Sequence, residues 1–271
     1  MIAVIAGTGT LPLEACKNLL AQGSEFFVVS LFPENNLDEL QKITEGKVRI
    51  FAQDLFKPGY ILDFLKKQKT KKVFFIGKVD KKHLFSHIKL DWFAIKMLAS
   101  MVCKSDSSIM EKILAELARH DIEVIKQDEI LKSLLVSPGV LTGTITPQLE
   151  ADITMGIATA MAISQADIGQ TIVIKDKMVL AVEAIEGTDL CIKRGIELGT
   201  ENVVICKAAR LDQNKKFYLP TLGPTSLQHL SKGQVAAIAW LSTHTLIAEQ
   251  EKFIKRAQEL GITLVSVAPP Q

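Results

Sequence analysis

The densest group of acidic side chains in this sequence lies in VLAVEAIEGTDLCIKRG (179–195), where Glu183, Glu186 and Asp189 fall within seven residues around a Gly-Thr turn. An apolar run ends just before Glu183 and a helical pattern begins at Thr188, so the acids stand at a strand end and a helix start. Carboxylates held there can bind a hard cation such as magnesium or orient a water molecule. They can equally cap the helix, because Thr188 and Asp189 suit a first turn. The residues alone leave both readings open.

A second group follows. Cys206-Lys207-Ala208-Ala209-Arg210 closes another apolar run, and Asp212-Gln213-Asn214-Lys215-Lys216-Phe217-Tyr218 leads on to Leu219-Pro220. Cations delivered at a strand's carboxyl end suit the oxygens of a diphosphate. Taken alone, the same stretch reads as a solvated loop. Near the N-terminus, Gly7-Thr8-Gly9-Thr10-Leu11-Pro12 joins a short apolar run to a helical one. Glycines in such a place let backbone N–H groups approach a phosphate, and the helix start adds its positive end. The spacing is not GxGxxG, and Ser30 stands where a ribose-binding acid would close the second strand, which tells against a classical NAD site. A tight strand–helix turn without a ligand is the plain alternative. Asp106, in Lys104-Ser105-Asp106-Ser107-Ser108, precedes a helix and can be a ligand or a cap. The histidines His83, His87, His120, His229 and His244 do not cluster, and the i,i+4 pair His83/His87 lacks a third partner, so zinc is not expected.

These groups need elements to position them. Apolar runs at 2–6, 26–30, 47–51, 72–77 and 122–125 alternate with helical patterns at 13–22, 60–68, 91–103 and 107–120, which predicts a parallel sheet covered on both faces. The composition changes between about 131 and 147, through Ser-Pro-Gly and Thr-Gly-Thr-Ile-Thr-Pro, and this stretch reads as a linker. Two domains are expected, 1–135 and 136–271. The second opens on a small-residue helix at 149–166. A hairpin with Asp176-Lys177 at its tip follows, then a helix to about 198, strands at 202–208 and 234–240, a helix at 254–260 and a last strand at 262–267.

With 271 residues, 48% hydrophobic and 23% charged, the chain has the composition of a folded protein. A formal net charge of +2 gives no case for nucleic acid. Cys16, Cys103, Cys191 and Cys206 stand singly and read as buried free thiols of a reducing compartment. The apolar N-terminus has no basic leader and reads as a strand. No apolar run approaches the ~20 residues needed to span a bilayer. The basic-aromatic stretch around Phe85 and Trp92 reads as a packed helix or as a membrane-surface element.

In order along the chain, GTGTLP (7–12), IGKV (76–79), DIEVIKQDEIL with LLVSPGVLT (121–142), DIGQ (167–170), the EGTD segment and LPTLGPTS (219–226) resemble the LpxI-type UDP-2,3-diacylglucosamine pyrophosphatases. The resemblance covers nearly the whole chain. It implies a bacterial cytoplasmic α/β protein with an N-terminal Rossmann-like parallel sheet, a C-terminal mixed α/β domain and the ligand cleft between them. The implied activity splits the diphosphate of UDP-2,3-diacylglucosamine into UMP and 2,3-diacylglucosamine 1-phosphate, with Mg2+ as cofactor, in lipid A biosynthesis. The implied catalytic residues are Asp212, Asp189 and Glu186, and the implied metal ligands are Asp106, Glu183 and Asp189. Substrate contacts fall to Gly7, Thr8, Gly9, Leu11, Lys78, Gln170, Thr188, Lys207, Arg210 and Gln213. The expected partners are the UDP-linked acylated sugar, the inner-membrane surface touched transiently, and a second copy in a homodimer.

The sequence departs from the family pattern in the loop that usually reads Lys-Pro-Gly-Gln-Asp-x-Arg-x-Asp-x-Pro. Asn214, Lys216 and Tyr218 occupy the Asp, Arg and Asp positions; Ser105-Asp106-Ser107 keeps one acid of a Gly-Asp-Asp; Leu241 replaces a Glu. Either Asp212 takes over the lost role, or the protein keeps the fold and binds the nucleotide sugar without turnover.

Overall fold

The computed structural model describes residues 1–32, 36–55, 57–79, 91–93, 95, 106–217 and 219–270, apart from the side chains of 106 and 107. Two compact units divide the chain: Met1–Leu131 with Lys215–Phe217, and Lys132–Asn214 with Tyr218–Gln271.

In the first unit, β1 (Ile2–Ala6), β2 (Phe26–Phe32), β3 (Ile50–Asp54), β4 (Lys72–Ile76) and β5 (Glu123–Val124) form one parallel sheet in the order β3-β2-β1-β4-β5. Continuous apolar runs produce this because both faces of the inner strands are covered. The helices are α1 (Leu11–Ala21), α2 (Leu37–Thr44), α3 (Pro58–Lys67), α4 (Asp106–Arg119) and the single turn α5 (Gln127–Ile130). Phe27, Phe51 and Phe64 meet edge to face, with ring centroids 4.8 to 6.0 Å apart, and join β2 and β3 to α3. The third strand begins later than its apolar run suggests. Pairing with β2 sets its register, Val28 opposite Ile50 through Phe32 opposite Asp54. Of the helix expected at 91–103, only 91–93 and 95 lie within the described residues, and Cys103, Phe85, His83 and His87 lie outside them.

The second unit holds β6 (Gly139–Thr142), β7 (Thr171–Lys175), β8 (Met178–Val182), β9 (Val203–Lys207), β11 (Val235–Leu241) and β13 (Thr263–Val267), in the order β6-β13-β11-β9-β7-β8. β9, β11 and β13 run parallel, β7 is antiparallel to both β8 and β9, and β6 is antiparallel to β13. β10 (Thr221–Leu222) and β12 (Leu246–Ile247) pair separately. Helix α6 (Pro147–Gln165) covers one face with Ile153, Ile157 and Ala160. Helices α7 (Thr188–Gly199) and α8 (Gln250–Leu260) cover the other, where Trp240 packs on Phe253. The small residues of α6 and α7 are required by closeness to the sheet: a Cβ on Gly156 would lie 2.4 Å from Cys206 Sγ, and one on Gly195 2.4 Å from Val173. Part of the stretch read as a linker, Gly139–Thr142, is the edge strand β6. Cys16, Cys191 and Cys206 are buried free thiols; burial pushes Cys16 up to about 12.

Candidate functional site

At one edge of the second sheet β8 and β9 end and β7 begins, because β7 runs against both neighbours. Side chains alternate along a strand, so Lys207 continues the Val203/Ile205 face that carries α7. Its register partner on β7 is Thr171. Lys207 Nζ donates to Thr171 Oγ1 at 2.9 Å and to Thr188 Oγ1 at 2.8 Å, and stands 3.9 Å from Glu183 Oε2. Thr188 Oγ1 donates onward to Glu183 Oε1 at 2.8 Å, and the Gln170 amide donates to Glu183 Oε2 at 3.2 Å. The Lys207 and Glu183 side chains are only 6% and 14% exposed. Burial disfavours the charged form of Glu183, but the Lys207 ammonium and hydrogen bonds from Thr171, Thr188 and Gln170 outweigh it and leave the carboxyl below its usual range.

The other two acids of the segment go elsewhere. Glu186 accepts from the Ala184 amide at 3.2 Å and pairs with Arg194 Nη2 at 2.8 Å, the same nitrogen that donates to Val182 O at 2.7 Å. Gly187, at φ 84°, makes the turn into α7 that an L side chain would strain. Asp189 is exposed in the first turn of α7. The three carboxylates thus have three separate environments, and among the described residues no group of three His, Cys, Asp or Glu side chains could hold a metal ion. Glu183, Glu186 and Asp189 do not by themselves fit the magnesium expected from the sequence. Asp106 opens α4, and its side chain lies outside the described residues.

Beyond β9 the chain turns to the α6 face. Ala208 N donates to Gln170 O, and Arg210 N donates to the hydroxyl of buried Ser164 at 3.0 Å. Arg210 and Asp212, 3.4 Å apart from Nε to Oδ1, line an open depression of about 370 Å³ with Met161, Ala162, Gln165 and Leu211. Arg210 Nε is buried without a hydrogen-bond acceptor. Gln213 N closes a turn on Arg210 O. Lys207 and Arg210, grouped in the sequence as two phosphate cations, therefore differ: one is sealed in a network, the other lines an open surface. Tyr218 lies outside the described residues.

The glycine loop of the first unit is also partly committed. Gly7 N donates to Ile76 O and Thr8 N to Lys78 O, while Lys78 N returns a bond to Thr8 O, each at 2.9 Å. A Cβ on Gly7 would lie 2.3 Å from Lys78 O, so this glycine is required by the approach of the loop after β4. The amides of Gly7 and Thr8 are thereby spent, and as phosphate donors they drop out. Gly9, at φ 96° with open space around it, and Leu11, which opens α1, remain at the helix start, with exposed Lys78 beside Thr8.

Comparison with known proteins bears on the whole chain. Residues 1–134 match the LpxI N-terminal domain and residues 137–265 the LpxI C-terminal domain. The chain belongs to the LpxI family. It is 28% identical over 286 aligned positions to the UDP-2,3-diacylglucosamine pyrophosphatase LpxI of Caulobacter vibrioides, an alignment covering 100% of this chain and 98% of that relative. Three contributors to this candidate site carried no signal in the sequence. Thr171 is a strand opener, Ser164 closes a helix, and Arg194 lies two helical turns beyond Glu186; only the fold brings them to the edge.

Proposed function

We propose that the protein is a cytoplasmic hydrolase that cleaves the diphosphate of UDP-2,3-diacylglucosamine, releasing UMP and 2,3-diacylglucosamine 1-phosphate for lipid A biosynthesis. The observation that carries this reading is the match to both LpxI domains over nearly the full chain. The local geometry supports it. Arg210, whose Nε has no hydrogen-bond acceptor and whose nearest charge is Asp212 beside an open depression, offers a guanidinium to phosphate oxygens. Asp212, exposed beside Arg210 and ion-paired with it, and exposed Asp189 would orient the attacking water. Water's oxygen joins one phosphorus as the anhydride bond breaks, and charge developing on the leaving phosphate meets Arg210 and the first-turn amides of α7. The exposed apolar residues Ile185, Leu190 and Leu211 suit an acylated substrate presented at the inner-membrane surface. Magnesium finds no ready set of ligands in Glu183, Glu186 and Asp189.

The test is UMP release from UDP-2,3-diacylglucosamine by the purified protein. Asp189→Ala combined with Asp212→Ala lowers the rate by about 100-fold or more; unchanged turnover removes both from the reaction. A second reading, capture of the same nucleotide sugar without turnover, is favoured by Asn214 and Lys216 at family Asp and Arg positions and by the internal pairing of Glu183 and Glu186. It requires the substrate to raise Tm while no UMP appears.

A further inference from the structure

We infer that Lys207, Glu183, Thr171 and Thr188 form a buried positioning unit that fixes the loop 183–188 and the first turn of α7 for the proposed hydrolysis, touching neither the diphosphate nor a metal. The inference rests on the hydrolase reading only for what is being positioned. The network itself is visible without a substrate.

An ammonium has three N–H donors. Lys207 gives two to the Thr171 and Thr188 hydroxyls and turns the third side of its charge to Glu183. A hydroxyl donates once, so Thr188, accepting from Lys207, passes its own proton to Glu183 Oε1. Glu183 also takes the Gln170 amide and the Thr171 hydroxyl. The first residue of β7, the residue after β8, the first residue of α7 and the last of β9 are thereby joined at one point. Swinging Lys207 out to a phosphate would leave Glu183 charged and uncompensated in a buried place, which is strongly unfavourable. The Gly187 turn has no side-chain cap of its own. Its position, and hence that of Asp189 and the α7 amides, is set by Thr188 within this unit. These are positioning residues. At this edge, Arg210 and the acids Asp189 and Asp212 are the charged groups that would meet the substrate.

The test compares Lys207→Met, Glu183→Gln, the double variant, Thr188→Val and Thr188→Ser at 20 °C, well below Tm. Each single break lowers kcat/KM by roughly 30-fold, mainly in kcat, while Thr188→Ser, which keeps the hydroxyl, stays within about 3-fold of the wild type. In the double variant no uncompensated charge is left, so Tm returns and kcat/KM recovers to within about 10-fold. A double variant with restored Tm but no more turnover than Lys207→Met would mean that Lys207 meets the substrate, and the inference falls. Single variants that lose Tm but keep full kcat would make the network structural only, and it falls again. Where Lys207→Met does not fold, Thr188→Val against Thr188→Ser decides alone. Amide exchange over 184–190 reads the unit without substrate: protection lost in Thr188→Val and kept in Thr188→Ser supports it, and equal protection in both overturns it. A wild type that releases no UMP yet shows this exchange pattern would count against the hydrolase reading alone.

Discussion

A carboxylate as enclosed as Glu183 is tolerated in its charged form only with compensation on every side. The folded protein holds it below its usual range, with burial opposing and Lys207, Thr171, Thr188 and Gln170 prevailing. The unfolded chain therefore takes up this proton first as pH falls. The stabilisation is complete above the unfolded value of about 4.3 and is lost as pH drops through the lower folded value. Urea midpoints measured from pH 7 to pH 3 should show the advantage of wild type over Glu183→Gln shrinking below about pH 4.3; a constant gap would refute the assignment. Arg210 behaves in the opposite way. Its guanidinium, though buried at Nε, faces an open depression and not a closed network, so Arg210→Met should leave Tm within about 3 °C while weakening kcat/KM by 10- to 100-fold. A large fall in Tm with unaltered kinetics would return Arg210 to a structural role.

Among the elements, the β7–β8 hairpin shows how one helix fixes another element's turn. Buried Asp152 on α6 accepts the amides of Asp176 at 3.0 Å and Lys177 at 2.6 Å, the two tip residues held at φ 50° and 58°. Asp152→Ala removes both acceptors and should cost about 2 kcal/mol in urea unfolding; a change below about 0.5 kcal/mol would show that solvent serves the tip equally well. Gly7→Ala drives a Cβ against Lys78 O and should lower Tm by several degrees, whether or not any nucleotide is bound. The apolar runs announced β1, β2, β4 and β9 because these strands are covered on both faces. Helix α2 escaped notice because Leu37–Thr44 buries only Leu40 and Thr44. Strand β6 escaped because an edge strand of four residues, two exposed and two half-buried, has no apolar run to betray it.

At the scale of the whole chain, the LpxI-family match motivates the proposed substrate, and UMP release measured beside substrate-induced Tm shifts separates turnover from capture. No helix among the described residues is long and apolar enough to cross a membrane, so the proposed contact with acyl chains rests on surface residues such as Ile185 and Leu190. The sequence by itself determined the α/β class and the family, because burial on both faces and motif order are properties of the linear chain. It also drew attention to two segments, EGTD and the Lys207–Arg210 strand end, that the fold brings to one edge of the second sheet. Only the tertiary structure decided what each charge does there. Whether a carboxylate serves a ligand or a neighbour depends on which cations and hydroxyls the sheet register brings within 4 Å, and for Glu183 these come from residues 5 to 24 positions away along the chain.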